Sequence, residues 1–194
     1  IGNIPNQNLR GVPAVDLGII VHPDFRTEAM RLKAHRENHS NLDVTIATTA
    51  EVYNEFSGGK QDVTAIRDFV KHVYDKNPGK LKWLLLFGKG SYDYKDILVD
   101  NKNFVPTYQS VNSLHPLLTY SSDDFFGFLE NHEGEWRENP ADQHTMDIGV
   151  GRIPVKTLNE ARNVVDKIIR YDTDSKLFNR WRKNIVFVAD DGDL

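Results

Sequence analysis

The sequence has 194 residues, and its 24 Lys and Arg against 28 Asp and Glu give a formal charge of −4. This balance argues against a nucleic-acid partner, because phosphate binding requires a concentrated basic surface. No run approaches the roughly 18 apolar residues that a membrane-spanning helix needs. The chain has no cysteine, so it holds no disulfide, no thiolate metal ligand and no cysteine nucleophile of its own.

The first part of the chain alternates strand and helix patterns. Residues 1–13 are rich in Asn, Gly and Pro, which indicates a lead-in segment without its own structure. Residues 17–21 are a short apolar run typical of a buried parallel strand. Pro23 then begins a helix pattern, and the β-branched residues 44–48 predict a second strand.

A second helix and a third strand continue this alternation. Glycines at 58–59 break the chain, and Asp62 is placed to cap a helix with an apolar face. Residues 83–87 are the most hydrophobic strand candidate. The order β-α-β-α-β predicts a flavodoxin-like three-layer α-β-α fold with a mostly parallel sheet and right-handed crossovers.

The segment 91–146 is long, aromatic and polar, and a loop of this length usually carries function or contains further strands. Residues 125–129 predict a helix that Ser122 or Asp123 caps. Regular patterns return with a strand at 148–153 and a helix that runs from a capping box at Thr157 to about residue 171.

The last pattern is a strand at residues 185–189, followed closely by Asp190 and Asp191. A buried parallel strand needs neighbours and usually a crossover behind it. We therefore expect the sequence to stop where another α/β unit of a longer protein begins.

Candidate binding residues lie where the predicted strands end. Ligands collect beyond the carboxyl ends of parallel strands, and that edge gathers His22, the turn 88–91, Arg152, Asp190 and Asp191. His22 is more typical of a helix entry than of a catalytic base. The turn lacks the spacing of a phosphate-binding loop. The adjacent carboxylates need a cation or a histidine beside them, or else form a solvated turn.

Two further groups contain metal-ligand residue types. Asp123 could bind calcium with other oxygens of the long loop, although a helix cap fits it better because no calcium-loop pattern is present. His35 and His39 stand four residues apart on a predicted helix, the spacing of a zinc pair. No third ligand is evident, which favours a solvated face. No complete catalytic set is present.

Five blocks in order resemble the gingipain-type cysteine peptidases, and among them the sortases of type IX secretion. The blocks are residues 62–69, 84–93, 120–129, 147–155 and 186–193. The resemblance implies a caspase-like α/β domain of two subdomains, in which the second carries a His-Gly block and the cysteine. It then implies a lead-in at 1–15, an N-terminal subdomain at 16–180, and the first strand of a truncated catalytic subdomain at 181–194.

The resemblance also implies roles for single residues. Asp191, before Gly192, matches the acidic residue that supports the catalytic histidine in gingipains, with Asp in place of Glu. Asp190 and Arg152 become binding candidates near it. No cofactor is expected, with calcium at Asp123 as the alternative. The chain is therefore expected to be inactive alone, because the histidine and the cysteine lie outside it.

By the same resemblance, the parent protein is a cysteine endopeptidase that removes C-terminal secretion signals from cargo proteins. Its expected partners are its own catalytic subdomain, those cargo proteins and components of the outer-membrane secretion complex, at the surface of a Gram-negative bacterium. The β-α-β-α-β start also permits a non-catalytic binding module, and a pseudoenzyme lobe stays open as a third possibility.

Overall fold

A parallel sheet organises the molecule. The computed structural model describes residues 6–112, 114–115, 119–136 and 144–187. Within these residues the strands, numbered in chain order, are β1 (Leu17–Val21), β2 (Val44–Thr48), β3 (Trp83–Phe87), β4 (Tyr108–Gln109), β5 (Ser121–Ser122) and β6 (Gly149–Ile153). Four of them form one parallel sheet in the order β2-β1-β3-β6, and β4 pairs with β5 in a short antiparallel hairpin. The order β2-β1-β3-β6 is that of a doubly wound, flavodoxin-like sheet.

Helices cover both faces of the sheet. They are α1 (Arg26–Ser40), α2 (Thr49–Phe56), α3 (Val63–Asp75) and α4 (Leu158–Thr173). Asp62 caps α3 by accepting from the Thr64 N–H at 2.8 Å, as its position before the apolar pattern predicts. In the described chain no helix is both long enough and apolar enough to cross a membrane.

Period-two alternation in β1 divides the core into two halves. Ile20 faces α2 and α3, where it joins a cluster that includes Ile66 and Phe69. Ile19 faces α1 and α4 and packs in a second cluster with Phe25 and other apolar residues. Each fully buried side chain of this size stabilises the fold by about 1.5–3 kcal/mol. The predicted three-layer α-β-α architecture is confirmed.

Helix α2 is the element that the sequence interpretation missed. It follows β2 directly, without a loop, and its start is a complete capping box. Thr48 Oγ1 accepts from the Glu51 N–H at 3.2 Å, and the Glu51 carboxylate accepts from the Thr48 N–H at 2.7 Å. The Thr-x-x-Glu spacing is itself the signal for this helix start.

The lead-in is docked on α2. Residues 9–11 form a 3-10 turn, Leu9 is buried, and the Glu55 carboxylate accepts from the Leu9 N–H at 2.8 Å. The expectation that this segment has no structure of its own was therefore wrong for its described part. The docking partner lies 46 residues away in sequence, where local composition gives no sign of it.

The long segment is more ordered and less helical than its pattern predicts. Instead of a helix over 125–129, the structure has a 3-10 turn, Asp124–Gly127. Ser122 Oγ accepts from the Asp124 N–H at 3.1 Å, whereas the Asp123 side chain makes no capping hydrogen bond. Buried Arg67 on α3 holds the segment by donating to the Phe128 carbonyl at 2.7 Å. Contacts with α3 therefore hold this segment in a conformation other than the predicted helix.

The predicted strand at 185–189 is not formed in the part that the structure describes. Residues 180–183 are a 3-10 turn, and 185–187 are not in a strand. Ile185, Val186 and Phe187 are 77, 82 and 88% exposed. A buried parallel strand requires elements that cover both its faces, and none covers these three residues within the described chain. Asp190 and Asp191 lie outside the described residues.

Candidate functional site

The carboxyl ends of three strands bring the predicted edge residues together. β1 ends directly before His22, and β3 ends directly before the turn 88–91. Arg152 is the second-last residue of β6. The register places Phe87 between Val21 and Ile153, so all three strands end at one level. The sequence expectation of a shared edge is confirmed for these residues.

Arg152 is the best-bonded side chain at this edge. Its Nε and Nη2 donate to the two oxygens of Asp123, each at 2.7 Å. Its Nη1 donates to the carbonyls of Gly88 at 2.8 Å and Val105 at 2.7 Å, and Nη2 also donates to the Pro106 carbonyl at 3.2 Å. A guanidinium has five N–H donors, and these five bonds occupy all of them. Arg152 therefore fixes the edge of the sheet rather than leaving donors for a ligand.

Close approach of this guanidinium requires a glycine in the neighbouring turn. A Cβ on Gly90 would lie 3.2 Å from Arg152 Cζ and 3.2 Å from the Val105 carbonyl oxygen. Such contacts are tighter than ordinary packing allows. Gly90 thus makes room for the Arg152 side chain.

Asp123 is the anionic half of this arrangement. Both its oxygens accept from Arg152, and its side chain is 24% exposed. The cap that the sequence favours for Asp123 is absent, because the carboxylate turns to the guanidinium instead of the backbone N–H groups ahead of it. A planar bidentate pair of this kind is the strongest geometry that Arg and Asp form.

His22 caps the start of a helical turn, as its sequence context predicts. Its Nδ1 accepts from the Asp24 N–H at 3.3 Å, at the start of a 3-10 turn, and its ring packs edge-on to Phe104 at 5.0 Å. Burial lowers the pKa of His22 below its ordinary value, and the nearby Asp24 carboxylate opposes that shift. The prediction of a helix-entry residue is confirmed.

A cavity of about 340 Å³ lies on the outer side of the turn, beside Arg152 and Pro154. Its wall is a small polar network in which Lys89 Nζ donates to Asn101 at 2.5 Å and Asn101 donates to Ser91 Oγ at 2.8 Å. This network fastens the beginning of the long segment to the strand ends. The cavity lies at the edge where ligands of parallel sheets bind.

His35 and His39 lie elsewhere, on the face of α1 that meets α4. The sequence interpretation of a solvated face was wrong for His35, whose side chain is 8% exposed. α4 brings Asp172 to this pair, and His35 Nε2 lies 2.8 Å from Asp172 Oδ2. The two residues are 137 positions apart, so no local spacing could indicate the third member.

Comparison with known proteins agrees with this architecture. The profile of peptidase family C25 matches residues 12–194. The chain belongs to this family. Of the solved structures, one that it resembles is that of dimeric latent PorU from Porphyromonas gingivalis, with 34% sequence identity and a TM-score of 0.75. The resemblance to gingipain-type peptidases and the caspase-like fold that it implied are thereby confirmed.

The PorU match covers 94% of this chain but only 18% of the PorU chain. The chain therefore spans less than a fifth of the length of this relative. A search of curated proteins returned no match.

Proposed function

We propose that this chain is the N-terminal, non-nucleophilic part of a gingipain-like cysteine endopeptidase domain. Its role is to hold and shape a catalytic subdomain of the same polypeptide. The observation that carries the proposal is the family match over residues 12–194 in a chain without cysteine. The small share of PorU that the chain covers supports a partner domain within one polypeptide.

The open edge of β6 supports this arrangement. In the described residues β6 pairs with β3 on one side only. An apolar groove of about 490 Å³ runs beside it, lined by Leu32, Leu85, Ile153 and Ile168 among others. An unpaired edge next to apolar surface is a template for another strand. We propose that residues 185–189 form that strand in the longer protein, where the catalytic subdomain covers its faces.

The chemistry belongs to residues beyond this chain, with one exception. A thiolate of the catalytic subdomain attacks the scissile peptide carbonyl, the C–N bond breaks, and the C-terminal fragment leaves as an amine that takes a proton from the catalytic histidine. Water or another amine then attacks the acyl-enzyme and releases the thiolate. Asp191 follows the proposed strand at the carboxyl edge, and we assign it the support of the catalytic histidine. A carboxylate in that position orients an imidazole and stabilises its protonated form. Asp190 is proposed as a binding residue beside it.

The substrates proposed for the whole protein are cargo proteins that carry a C-terminal secretion signal, which the enzyme removes during type IX secretion. We propose that the parent protein acts at the outer membrane and cell surface, in contact with the secretion complex. The support is the resemblance of the five sequence blocks together with the PorU match.

The test uses the full-length polypeptide and a peptide substrate that contains a C-terminal signal junction. We expect Asp191→Ala to lower kcat by at least about 100-fold, because loss of the supporting carboxylate in a histidine-assisted mechanism has effects of that order or larger. Asp193→Ala, a change of the same charge two residues away, is the matched control and should leave kcat unchanged.

Two results would overturn the proposal. Cleavage that is equally fast in wild type and Asp191→Ala would remove the role of Asp191. A wild-type protein that binds the peptide without cleaving it, and that is not labelled by a thiol-directed inhibitor, would instead make the chain part of a pseudoenzyme or a binding module.

A further inference from the structure

A three-residue cluster joins the C-terminal half of α1 to the last turn of α4. His35 and His39 are one helical turn apart, with their rings stacked at a centroid distance of 5.0 Å and an angle of 21°. Asp172 approaches them from α4. One nitrogen of each histidine and one oxygen of Asp172 all lie within 4.8 Å of one another. The cluster does not lie at the carboxyl ends of the strands, so the proposed peptidase function does not account for it.

Burial makes the cluster a half-enclosed site. The side chains of His35 and Asp172 are 8 and 16% exposed, whereas His39 is exposed on the solvent side. Two ligand groups are thus held by the helix packing, and the third lies at an open mouth. Access from solvent together with two fixed ligand groups is the arrangement that lets an ion enter and lose part of its water shell.

The charges of the cluster leave one carboxylate oxygen available. His35 Nε2 lies 2.8 Å from Asp172 Oδ2, and Arg36 Nη1 donates to the same oxygen at 2.8 Å. No described residue donates to Oδ1 of Asp172.

We infer that His35, His39 and Asp172 bind a divalent transition-metal ion, with Zn²⁺ as the best match. Two imidazoles and a carboxylate are a ligand set that Zn²⁺ accepts, and histidines four apart on a helix place both rings on one face. Zn²⁺ requires bonds of about 2.0–2.2 Å to nitrogen and oxygen, so small side-chain rotations must draw the three groups inward. A water molecule then completes the tetrahedron at the open side.

When the ion binds, one hydrogen bond is lost and three bonds to the metal form. The hydrogen bond between His35 and Asp172 opens, and each group forms a bond to the ion. Both imidazoles must be neutral to ligate, so any proton they carry is released. Arg36 stays on the carboxylate as an outer partner, and such partners orient metal ligands.

Binding at this place fixes one helix against another. Farther along the same contact, Arg31 bridges Glu28 of α1 at 2.5 Å and Asp166 of α4 at 2.6 Å. The metal would close the other end of this row of ion pairs. α4 leads into residues 174–187, so the ion would stabilise the point at which the chain leaves the subdomain.

The test is a titration of the purified, metal-free protein at its natural length with ZnCl₂, followed by calorimetry, and with Co²⁺, followed by visible absorption. We expect one ion per chain, the absorption bands of tetrahedral Co²⁺, and a higher Tm in the presence of Zn²⁺. His39→Ala should weaken Zn²⁺ binding by more than about tenfold. Because His39 is exposed, the Tm of this metal-free variant should stay near that of wild type.

Two further variants complete the design. Asp172→Asn removes the anionic ligand and should abolish the Co²⁺ bands, with far-UV circular dichroism confirming the fold. His132→Ala removes another exposed histidine and should bind Zn²⁺ like wild type. The inference is overturned if wild type binds no Zn²⁺, or if His39→Ala binds it as tightly as wild type does. Either failure leaves the proposed peptidase function untouched, because none of these residues lies at the strand ends.

Discussion

Two charged clusters in this molecule are built around a carboxylate and differ in what they leave unsatisfied. At the carboxyl edge of the sheet, the five donors of Arg152 are all taken by Asp123 and three backbone carbonyls. Between α1 and α4, Asp172 meets His35 and Arg36 but keeps one oxygen without a donor in the described chain. Because all the donors of Arg152 are used, the first cluster is a structural clamp. The second cluster keeps a free carboxylate oxygen that can bind a ligand.

The largest effect on stability is expected at the clamp. Arg152→Met should lower the free energy of unfolding by about 3 kcal/mol or more, because it leaves a partly buried carboxylate and three carbonyls without donors. Urea denaturation followed by circular dichroism measures this difference.

The matched control is Arg170→Met. The Arg170 side chain is 70% exposed and its Nε lies 3.4 Å from Asp174, one turn farther along at the end of α4, and exposed ion pairs contribute about 0–1 kcal/mol. Equal losses for the two variants would show that Arg152 is an ordinary surface arginine and would contradict the clamp.

A smaller loss is expected from the other side of the same pair. Asp123→Asn keeps the shape of the side chain but removes its charge and one of its two acceptor oxygens. Hydrogen bonds to charged groups contribute about 1.5–3 kcal/mol, so the free energy of unfolding should fall by about 2 kcal/mol. The exposed neighbour Asp124 provides the control, and Asp124→Asn should lie within about 0.5 kcal/mol of wild type. Reversal of this order would mean that Asp123 is not the partner that holds Arg152.

The smallest effect is a pH dependence at His22. Burial holds the folded-state pKa of His22 below the ordinary value of 6.5, so the unfolded chain binds a proton more readily than the folded one. The contribution to stability is complete above pH 6.5 and is lost as the pH falls through the folded-state pKa. His22→Asn keeps a capping side chain without this titration, and should lose less stability than wild type between pH 7 and about 5. Identical pH profiles of unfolding for the two proteins would contradict this assignment.

Local sequence patterns predicted the strands of the parallel sheet and three of the helices that cover it, because each pattern lies within a few residues. The apolar runs of β1 and β3 and the cap at Asp62 are of this kind. The missed helix α2 carried an equally local signal in Thr48 and Glu51, but it begins without a loop directly after β2. A strand and a helix that share one residue as end and cap are hard to separate by periodicity alone.

Local patterns could not predict the clamp or the cluster of His35, His39 and Asp172, because their members are far apart in sequence. Arg152 and Asp123 are 29 residues apart, and His35 and Asp172 are 137 apart. The sequence identified Arg152, Asp123, His35 and His39 as chemically capable residues. Which of them meet is decided by how the long segment packs on the strand ends and how α4 packs on α1. Both results depend on tertiary packing rather than on spacing.

The central claim is that the catalytic subdomain continues the sheet across β6, and amide hydrogen exchange tests it directly. The Gly149 N–H donates to the Lys82 carbonyl, and alternate amides of a parallel strand point to opposite sides. The N–H groups of Val150 and Arg152 therefore point to the open edge. We predict that both exchange rapidly in the 194-residue chain and are strongly protected in the full-length polypeptide. Equally rapid exchange of both amides in the full-length protein would contradict the claim.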